Sequence, residues 1–194
     1  HVYPGTHGNV NVSTAIQGSC NYFYFEIGYD MGLDQYGEYN SAQALDIIED
    51  YAIQLGLGIK SGVEINERAP RVSTTDSVRT AIGQGTNGYA TVHMNRYVNT
   101  IANSGKNYQL SLIDRVVAAD GRIVLKVNPE ITNTVKLNDS DWDAIHYGMR
   151  LVTLEGGTAS QFFTDLNTSV AGKTGTAEED KYRSNHAAFI GYAP

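Results

Sequence analysis

Internal disulfides are excluded by composition, because the 194 residues contain a single cysteine, Cys20. Such cysteine usage fits cytosolic chains and many extracytoplasmic bacterial ones, so it leaves the compartment open. No apolar run approaches the length of a membrane span, and no secretory signal pattern opens the chain. Any membrane anchor is therefore expected outside this sequence. The first residue is His1 and not Met, so the chain is expected to begin partway through a gene product or after processing. Basic runs are also lacking. Lys and Arg total 14 against 21 Asp and Glu, for a net charge of −7, and the cations are scattered singly. This pattern argues against nucleic acid or anionic lipid as a partner. Internal repeats and low-complexity tracts are absent. One motif is missing too: no serine is followed three residues later by lysine, the pattern that carries the nucleophile in one class of serine acyl-transfer sites.

What is present describes a folded chain. Hydrophobic residues make up 41% and charged residues only 18%, which excludes a disordered composition, and the length fits one domain with a substantial core. Thirteen tyrosines read either as core and surface packing or as an aromatic cleft wall. Periodicity predicts a helix from Asn40 or Ser41 to Leu55, with Leu45, Ile48, Ala52 and Leu55 on one face and Gly56 as its stop. A second helix is predicted from Thr91 to Asn103, with Met94, Tyr97, Val98 and Ile101 as its stripe and Gly105 beyond. A third opens at Ser140, followed by Trp142, Ile145, Met149 and Val152. Arg122 to Val127 alternates as a strand. Val170 to Ala177 and His186 to Tyr192 read as an antiparallel pair joined by the polar loop Glu178 to Asn185. Segment 56–90 reads as loop. The expected fold class is mixed α/β (α+β), an antiparallel sheet flanked by helices.

The chemistry concentrates in two places. Ala171-Gly172-Lys173-Thr174-Gly175-Thr176-Ala177-Glu178 carries Lys-Thr-Gly on a strand, and Ser19-Cys20-Asn21 carries Ser-x-Asn on a loop. A phosphate-binding reading of Gly172-Lys173-Thr174 fails. That loop needs glycine at position 167, which is Asn, and a helix afterwards, where a charged turn and another strand follow. An acyl-transfer reading fits better. An edge strand beside a cleft binds an extended peptide through its main chain. Gly172 and Gly175 weaken an ordinary strand and suggest that something approaches its backbone closely. Lys173 supplies a positive charge for a substrate carboxylate and for proton transfer, and Thr174 and Thr176 offer hydroxyls. The Thr176 amide is a candidate oxyanion donor. Ser19 can relay a proton to a leaving amine, and Asn21 can hold a substrate amide through both donor and acceptor. Taken singly each motif is weak, a turn cluster or an exposed strand end; order, spacing and surroundings make the pair informative.

On those surroundings the chain resembles the transpeptidase domain of class B penicillin-binding proteins along almost its whole length. The resemblance rests on Thr6-His7-Gly8-Asn9-Val10, Ser19 to Tyr24, Leu55-Gly56-Leu57-Gly58 with Ser61-Gly62-Val63-Glu64, and Ala81-Ile82-Gly83-Gln84-Gly85. It continues through Ile101 to Gly105, Gly148-Met149, Gly157-Thr158-Ala159, Ala171 to Glu178, and His186 to Pro194. Ala90 to Met94 departs from the family pattern, and no role follows for His93. The resemblance implies the penicillin-binding-protein/β-lactamase-like fold. It implies a parent enzyme whose serine attacks the D-Ala-D-Ala bond of one peptidoglycan stem peptide and passes the acyl group to an amine on another, with β-lactams trapping the acyl-enzyme. By the same resemblance Ser19, Asn21 and Lys173 are catalytic, and Thr174, Gly175 and Thr176 bind substrate. No cofactor is implied. Cell-wall synthesis proteins are the implied partners, and the extracytoplasmic face of a bacterial membrane, reached through an anchor in the parent, is the implied location. The Ser-x-x-Lys segment is expected upstream of His1, and more sheet and a C-terminal helix beyond Pro194. This piece alone is then inactive, and its exposed apolar surface calls for a complementary chain.

Alternatives to catalysis are a penicillin-sensing or peptidoglycan-binding module, and a non-catalytic cell-wall scaffold of the same fold. Cys20, between two cleft residues, is expected to pack inward. A sharper reading makes Cys20 and His7, with His1 or an acidic residue, zinc ligands, although no spacing matches a ligand motif, and the expectation is no metal. His146, His186 and Trp142 read as structural.

Overall fold

Asn11 opens the first helix of the chain, α1 (Val12–Gly18), by a reciprocal cap. Its side-chain oxygen accepts the Thr14 N–H at 3.0 Å, and the Thr14 hydroxyl accepts the Asn11 N–H at 3.0 Å. These contacts come from a computed structural model that describes residues 7–177, 182 and 184–194. His1, Thr6, Glu178 and most of the loop 178–185 lie outside the described residues. The chain forms two compact units, one of His1–Ile48, Ser73–Asn87 and Leu137–Pro194, the other of Glu49–Val72 and Gly88–Lys136.

In the first unit, α1 ends at Ser19 and α2 (Asn21–Asp30) begins at once. The Ser-x-Asn triplet is thus the corner between two helices and not a loop. Sequence periodicity missed both helices for a physical reason. α1 has only seven residues, and α2 (Asn-Tyr-Phe-Tyr-Phe-Glu-Ile-Gly-Tyr-Asp) is apolar around most of its circumference, with no single stripe to reveal it. α2 lies against the short α4 (Ser77–Thr80), with the Ser77 hydroxyl donating to the Gly28 carbonyl at 3.1 Å. The predicted third helix is α6 (Asp139–Leu151), and Asn138 caps it, with its N–H and side-chain amide on the Asp141 carboxylate at 3.2 and 3.0 Å. The start expected at Ser140 therefore moves upstream, because the acidic partner three residues on serves Asn138. Trp142, Met149 and Val152 are buried as expected.

α6 organises this unit. Its Gly148 faces α1 so closely that a Cβ there would lie 2.9 Å from the Ser13 Cα and 3.0 Å from Ile16 side-chain atoms. The Ser13 hydroxyl seals the contact by donating to the Ala144 carbonyl at 2.7 Å. At its other end, Arg150 and the nearby Thr153 donate to the Val170 carbonyl at 3.0 and 2.5 Å. Val170 leads directly into β5 (Ala171–Ala177), which pairs antiparallel with β6 (His186–Tyr192), from Ala171 opposite Tyr192 to Ala177 opposite His186. The predicted hairpin is present. His146 lies between the rings of Trp142 and Tyr192, at centroid distances of 6.0 and 6.1 Å, a packing position.

α3 (Ser41–Gln54) begins where Asn40 accepts the Ala42 N–H at 3.0 Å and stops before Gly56, whose φ is +81°. The boundary between the two units falls inside it. The second unit holds α5 (Thr91–Ala102) and four short strands. β1 (Lys106–Tyr108) pairs with β4 (Ile131–Thr134), and β2 (Arg115–Val117) pairs with β3 (Ile123–Lys126), both antiparallel. The class is mixed α/β with helices and small antiparallel sheets, each of two strands among the described residues.

Val98 and Ile101 of the predicted α5 stripe are buried, and polar residues of the same helix are buried beside them. His93 is 0% and Arg96 3% exposed. Arg96 donates to Asn107 Oδ1, the Lys60 carbonyl and the Thr132 hydroxyl at 2.8, 2.9 and 3.2 Å. His93 Nδ1 accepts the Ala90 N–H at 3.0 Å, so Nε2 carries the hydrogen and donates to Glu67 at 3.1 Å. Burial alone would raise the Glu67 carboxyl. Hydrogen bonds from the Gly62 and Ser61 amides, the Ser61 hydroxyl and His93 outweigh it and hold the carboxyl down to about 2. His93 is therefore a helix-start brace, a role the sequence did not assign.

The Gly148 contact yields a test. Alanine is better than glycine in a helix interior by about 1 kcal/mol, whereas overpacking costs about 1–3 kcal/mol. Gly148→Ala is expected to destabilise by about 1 kcal/mol in chemical denaturation, against its helix propensity. A variant as stable as the wild type or more so would show that α1 and α6 are not in close contact.

Candidate active site

The end of α1 is where the first site residue acquires its geometry. Ser19 is left-handed (φ 50°, ψ 51°), a conformation that glycine usually fills at helix ends. It lets the Cys20 N–H turn back to the Ala15 carbonyl at 3.0 Å. Cys20 points inward and is 5% exposed, as its place between two cleft residues predicted. Asn21 is the first residue of α2 and is exposed, and among the described residues its side-chain amide has no hydrogen-bond partner.

The second motif lies along β5, and burial falls along it. Ala171 and Gly172 are buried, Lys173 and Thr174 half-buried, and Gly175, Thr176 and Ala177 exposed. The two glycines do different work. A Cβ on Gly172 would overlap the Phe189 ring and stand 2.6 Å from the Ile190 carbonyl, so the close approach there comes from β6 itself. At Gly175 a Cβ would meet only Ala188, at 3.8 Å. Nothing within the described chain requires glycine at 175, and the backbone there is open to an incoming molecule. The close approach expected at the two glycines is met at Gly172, by β6, whereas at Gly175 the chain itself leaves the backbone open.

Tertiary structure joins the two motifs across 154 residues. Lys173 Nζ donates to Ser19 Oγ at 2.9 Å and to the Thr174 carbonyl at 2.8 Å. Because Ser19 Oγ accepts this bond, its own hydrogen is left to donate elsewhere. Burial lowers the Lys173 amine to about 8. The positive charge expected of Lys173 is therefore held less firmly than that of an exposed lysine. The Thr174 hydroxyl shares a 2.8 Å hydrogen bond with that of Thr158, in the Gly157-Thr158-Ala159 segment. Gly157 permits that turn, since a Cβ there would overlap the Leu151 and Val152 carbonyls. The Thr176 carbonyl accepts from the Gln84 side-chain amide at 3.2 Å. The structure therefore brings Ser19, Lys173 and Thr174 into one network, keeps Asn21 two residues away on the same helix corner, and adds Thr158 and Gln84. Neither addition was assigned a site role from sequence, although both stand in segments singled out as family signatures.

Among the described residues no three His, Cys, Asp or Glu side chains gather as metal ligands, and His1 lies outside them. A lysine with a depressed amine, hydroxyls on both sides of it and an open strand backbone make up a site for polarising a carbonyl compound and moving a proton.

Comparison with known proteins gives the same picture. The family described as "Penicillin binding protein transpeptidase domain" matches residues 2–194. Penicillin-binding protein 2A of Bacillus subtilis is 30% identical, over 96% of this chain and 29% of that relative. Penicillin-binding protein H of the same organism is 29% identical, with the same shares covered. The chain thus spans under a third of the length of the curated relatives it matches. Among solved structures, penicillin-binding protein 2B of Streptococcus pneumoniae superposes with a TM-score of 0.81 at 22% identity, over 95% of this chain and 33% of that one. A Helicobacter pylori penicillin-binding protein solved with MreC superposes with a TM-score of 0.75 at 22% identity, over 98% of this chain and 35% of that one. With the family matched over almost every residue, and its Lys-Thr-Gly and Ser-x-Asn elements hydrogen-bonded to one another, this chain belongs to the penicillin-binding protein transpeptidase domain family.

Proposed function

We propose that this chain is part of a peptidoglycan D,D-transpeptidase domain and forms the substrate-binding half of its cleft. The observation that carries the reading is the 2.9 Å hydrogen bond from Lys173 Nζ to Ser19 Oγ, which joins the two motifs into one proton-handling site. The attacking serine comes from a Ser-x-x-Lys segment outside these 194 residues. A donor stem peptide ending in D-Ala-D-Ala lies extended along β5, approaching the open backbone at Gly175. Lys173 and Thr174 hold its terminal carboxylate, and Asn21, whose side chain has no partner among the described residues, takes an amide of the stem. The serine oxygen bonds to the penultimate carbonyl carbon, and the Thr176 N–H stabilises the negative charge on its oxygen. The proton that the attacking serine loses passes to the lysine of its own Ser-x-x-Lys segment, and as the peptide C–N bond breaks Ser19 gives its proton to the leaving D-alanine amine and is reprotonated from that lysine. The amine of a second stem peptide then attacks the ester, forming the cross-link as the ester C–O bond breaks, and the proton it loses returns to the serine oxygen. β-Lactams acylate the same serine. The parent is anchored to the membrane by a segment outside this chain and works on its extracytoplasmic side. Similar proteins solved with MreC or in a peptidoglycan synthase complex support other cell-wall synthesis proteins as partners.

The reading is tested by fluorescent penicillin. The full-length protein is expected to take up label at its Ser-x-x-Lys serine, and the isolated 194-residue chain to take up none; labelling of the isolated chain would overturn the assignment of the nucleophile.

Acylation is expected to depend on the protonated Lys173. With the amine at about 8, the charge that holds the carboxylate is lost as pH rises above that value. Stability moves the other way. Between about 8 and the ordinary 10.5 the unfolded chain binds more protons at this lysine, so folding strengthens with pH there. The acylation rate of the full-length protein should therefore fall above about pH 8 without any loss of folded protein, and Lys173→Arg should flatten that limb. A rate that stays level to pH 10 rejects the role of the charge.

Ser19 is expected to trade stability for function. Ser19→Gly relieves a left-handed serine and should leave the fold as stable or up to about 1 kcal/mol more stable. The same change should reduce acylation by roughly 100-fold or more. Equal activity in Ser19→Gly would remove Ser19 from the proton path.

A further inference from the structure

The loop that carries Gln84 is built to an unusual degree for an exposed turn. Gly83 and Gly85 are both left-handed, with φ of +81° and +94°. A Cβ on Gly85 would stand 2.6 Å from the hydroxyl of Ser73, which is 2% exposed. That hydroxyl accepts the Thr86 N–H at 3.2 Å. Asn87 bridges the loop, accepting the Ser73 N–H at 2.8 Å and donating to the Gln84 carbonyl at 3.1 Å. Behind it, the Gly83 and Gln84 amides donate to the Thr80 and Arg79 carbonyls at 2.9 and 3.1 Å. The backbone of Gln84 is thus held on both sides.

What this bracing delivers is a single contact. Gln84 Nε2 donates to the Thr176 carbonyl at 3.2 Å, across 92 residues. Among the described residues its amide oxygen has no partner, so the side chain is committed to β5 through its donor alone. Thr176 lies on the part of β5 with the fewest side-chain supports. The strand is fixed at its start by the Val170 carbonyl and in its middle by Lys173 and Thr174; from Gly175 onward β6 still pairs with it, but its side chains are exposed, Gly175 adds no packing, and Gln84 adds a side-chain hydrogen bond to the backbone. Fixing the Thr176 carbonyl fixes the orientation of that residue in the strand, and with it the direction of its N–H.

We infer that Gln84 is a positioning residue for acyl transfer, acting through the Thr176 carbonyl to hold the end of β5 in the orientation that receives the developing oxyanion. This rests on the transpeptidase reading above. Gln84 touches neither substrate nor the reacting atoms; its effect falls on the step in which charge develops and not on ligand capture.

The test uses the full-length protein and fluorescent penicillin. Gln84→Met keeps the length of the side chain and removes the donor, and Gln84→Glu places an acceptor where the donor stood. Both are expected to slow acylation at saturating antibiotic by about tenfold, while the half-saturating concentration changes by less than about twofold. Backbone hydrogen exchange of the 171–177 segment should accelerate in both, with that of α1 and α6 unchanged. A wild-type acylation rate in Gln84→Met overturns the inference, and so does unchanged exchange in β5. A wild-type protein that takes up no label, in which Gln84→Met still accelerates exchange in β5, sinks the transpeptidase reading instead and leaves the hold of Gln84 on β5 standing.

Discussion

The close approach of α1 to α6 at Gly148 is the constraint on which the rest of the site depends. α6 carries the glycine that admits α1 on one side, and Arg150 at its end fixes the Val170 carbonyl on the other. Ser19 sits at the end of α1, and Lys173 lies three residues beyond Val170. Neither residue has local information about the other. They meet because one helix holds both of their supports, and the 2.9 Å bond between them is the consequence.

Strain and burial in this site lie where the chemistry is. Ser19 takes a backbone conformation that glycine would adopt more easily, and it retains a hydroxyl there. Lys173 is buried enough to bring its amine to about 8, within reach of a proton exchange at physiological pH. β5 loses burial along its length, from the packed Gly172 to the open Gly175. One end of the strand belongs to the fold and the other to whatever binds. The second unit uses polar groups differently. In its interior Glu67 bonds to His93 and Arg96 to Asn107, and backbone groups and hydroxyls around them take their remaining hydrogen bonds.

Periodicity and motif spacing reached far into this chain. α3, α5 and the β5–β6 hairpin follow from apolar spacing, caps and terminal glycines, because these signals act within a few residues of one another. The start of α6 was misplaced because Asn138 and Ser140 are both acceptable caps with an aspartate three residues on, and the fold uses Asn138, whose N–H meets the Asp141 carboxylate. α1 and α2 were missed, one too short and the other too evenly apolar for a stripe to show. The polar face of α5 was missed because His93 and Arg96 are buried by partners distant in sequence.

The family, the identity of the motif residues and the order in which they occur are legible in the chain before it folds. Residue type and spacing are local properties, and a series of motifs along 194 residues is specific enough to carry a resemblance. Tertiary structure decided what those residues can do. It set the left-handed turn at Ser19, the depressed amine of Lys173, the division of labour between Gly172 and Gly175, and the hold of Gln84 on Thr176. Desolvation and hydrogen bonds between residues 92 and 154 positions apart produce these properties, and they come into being only when the helices and β5 pack together.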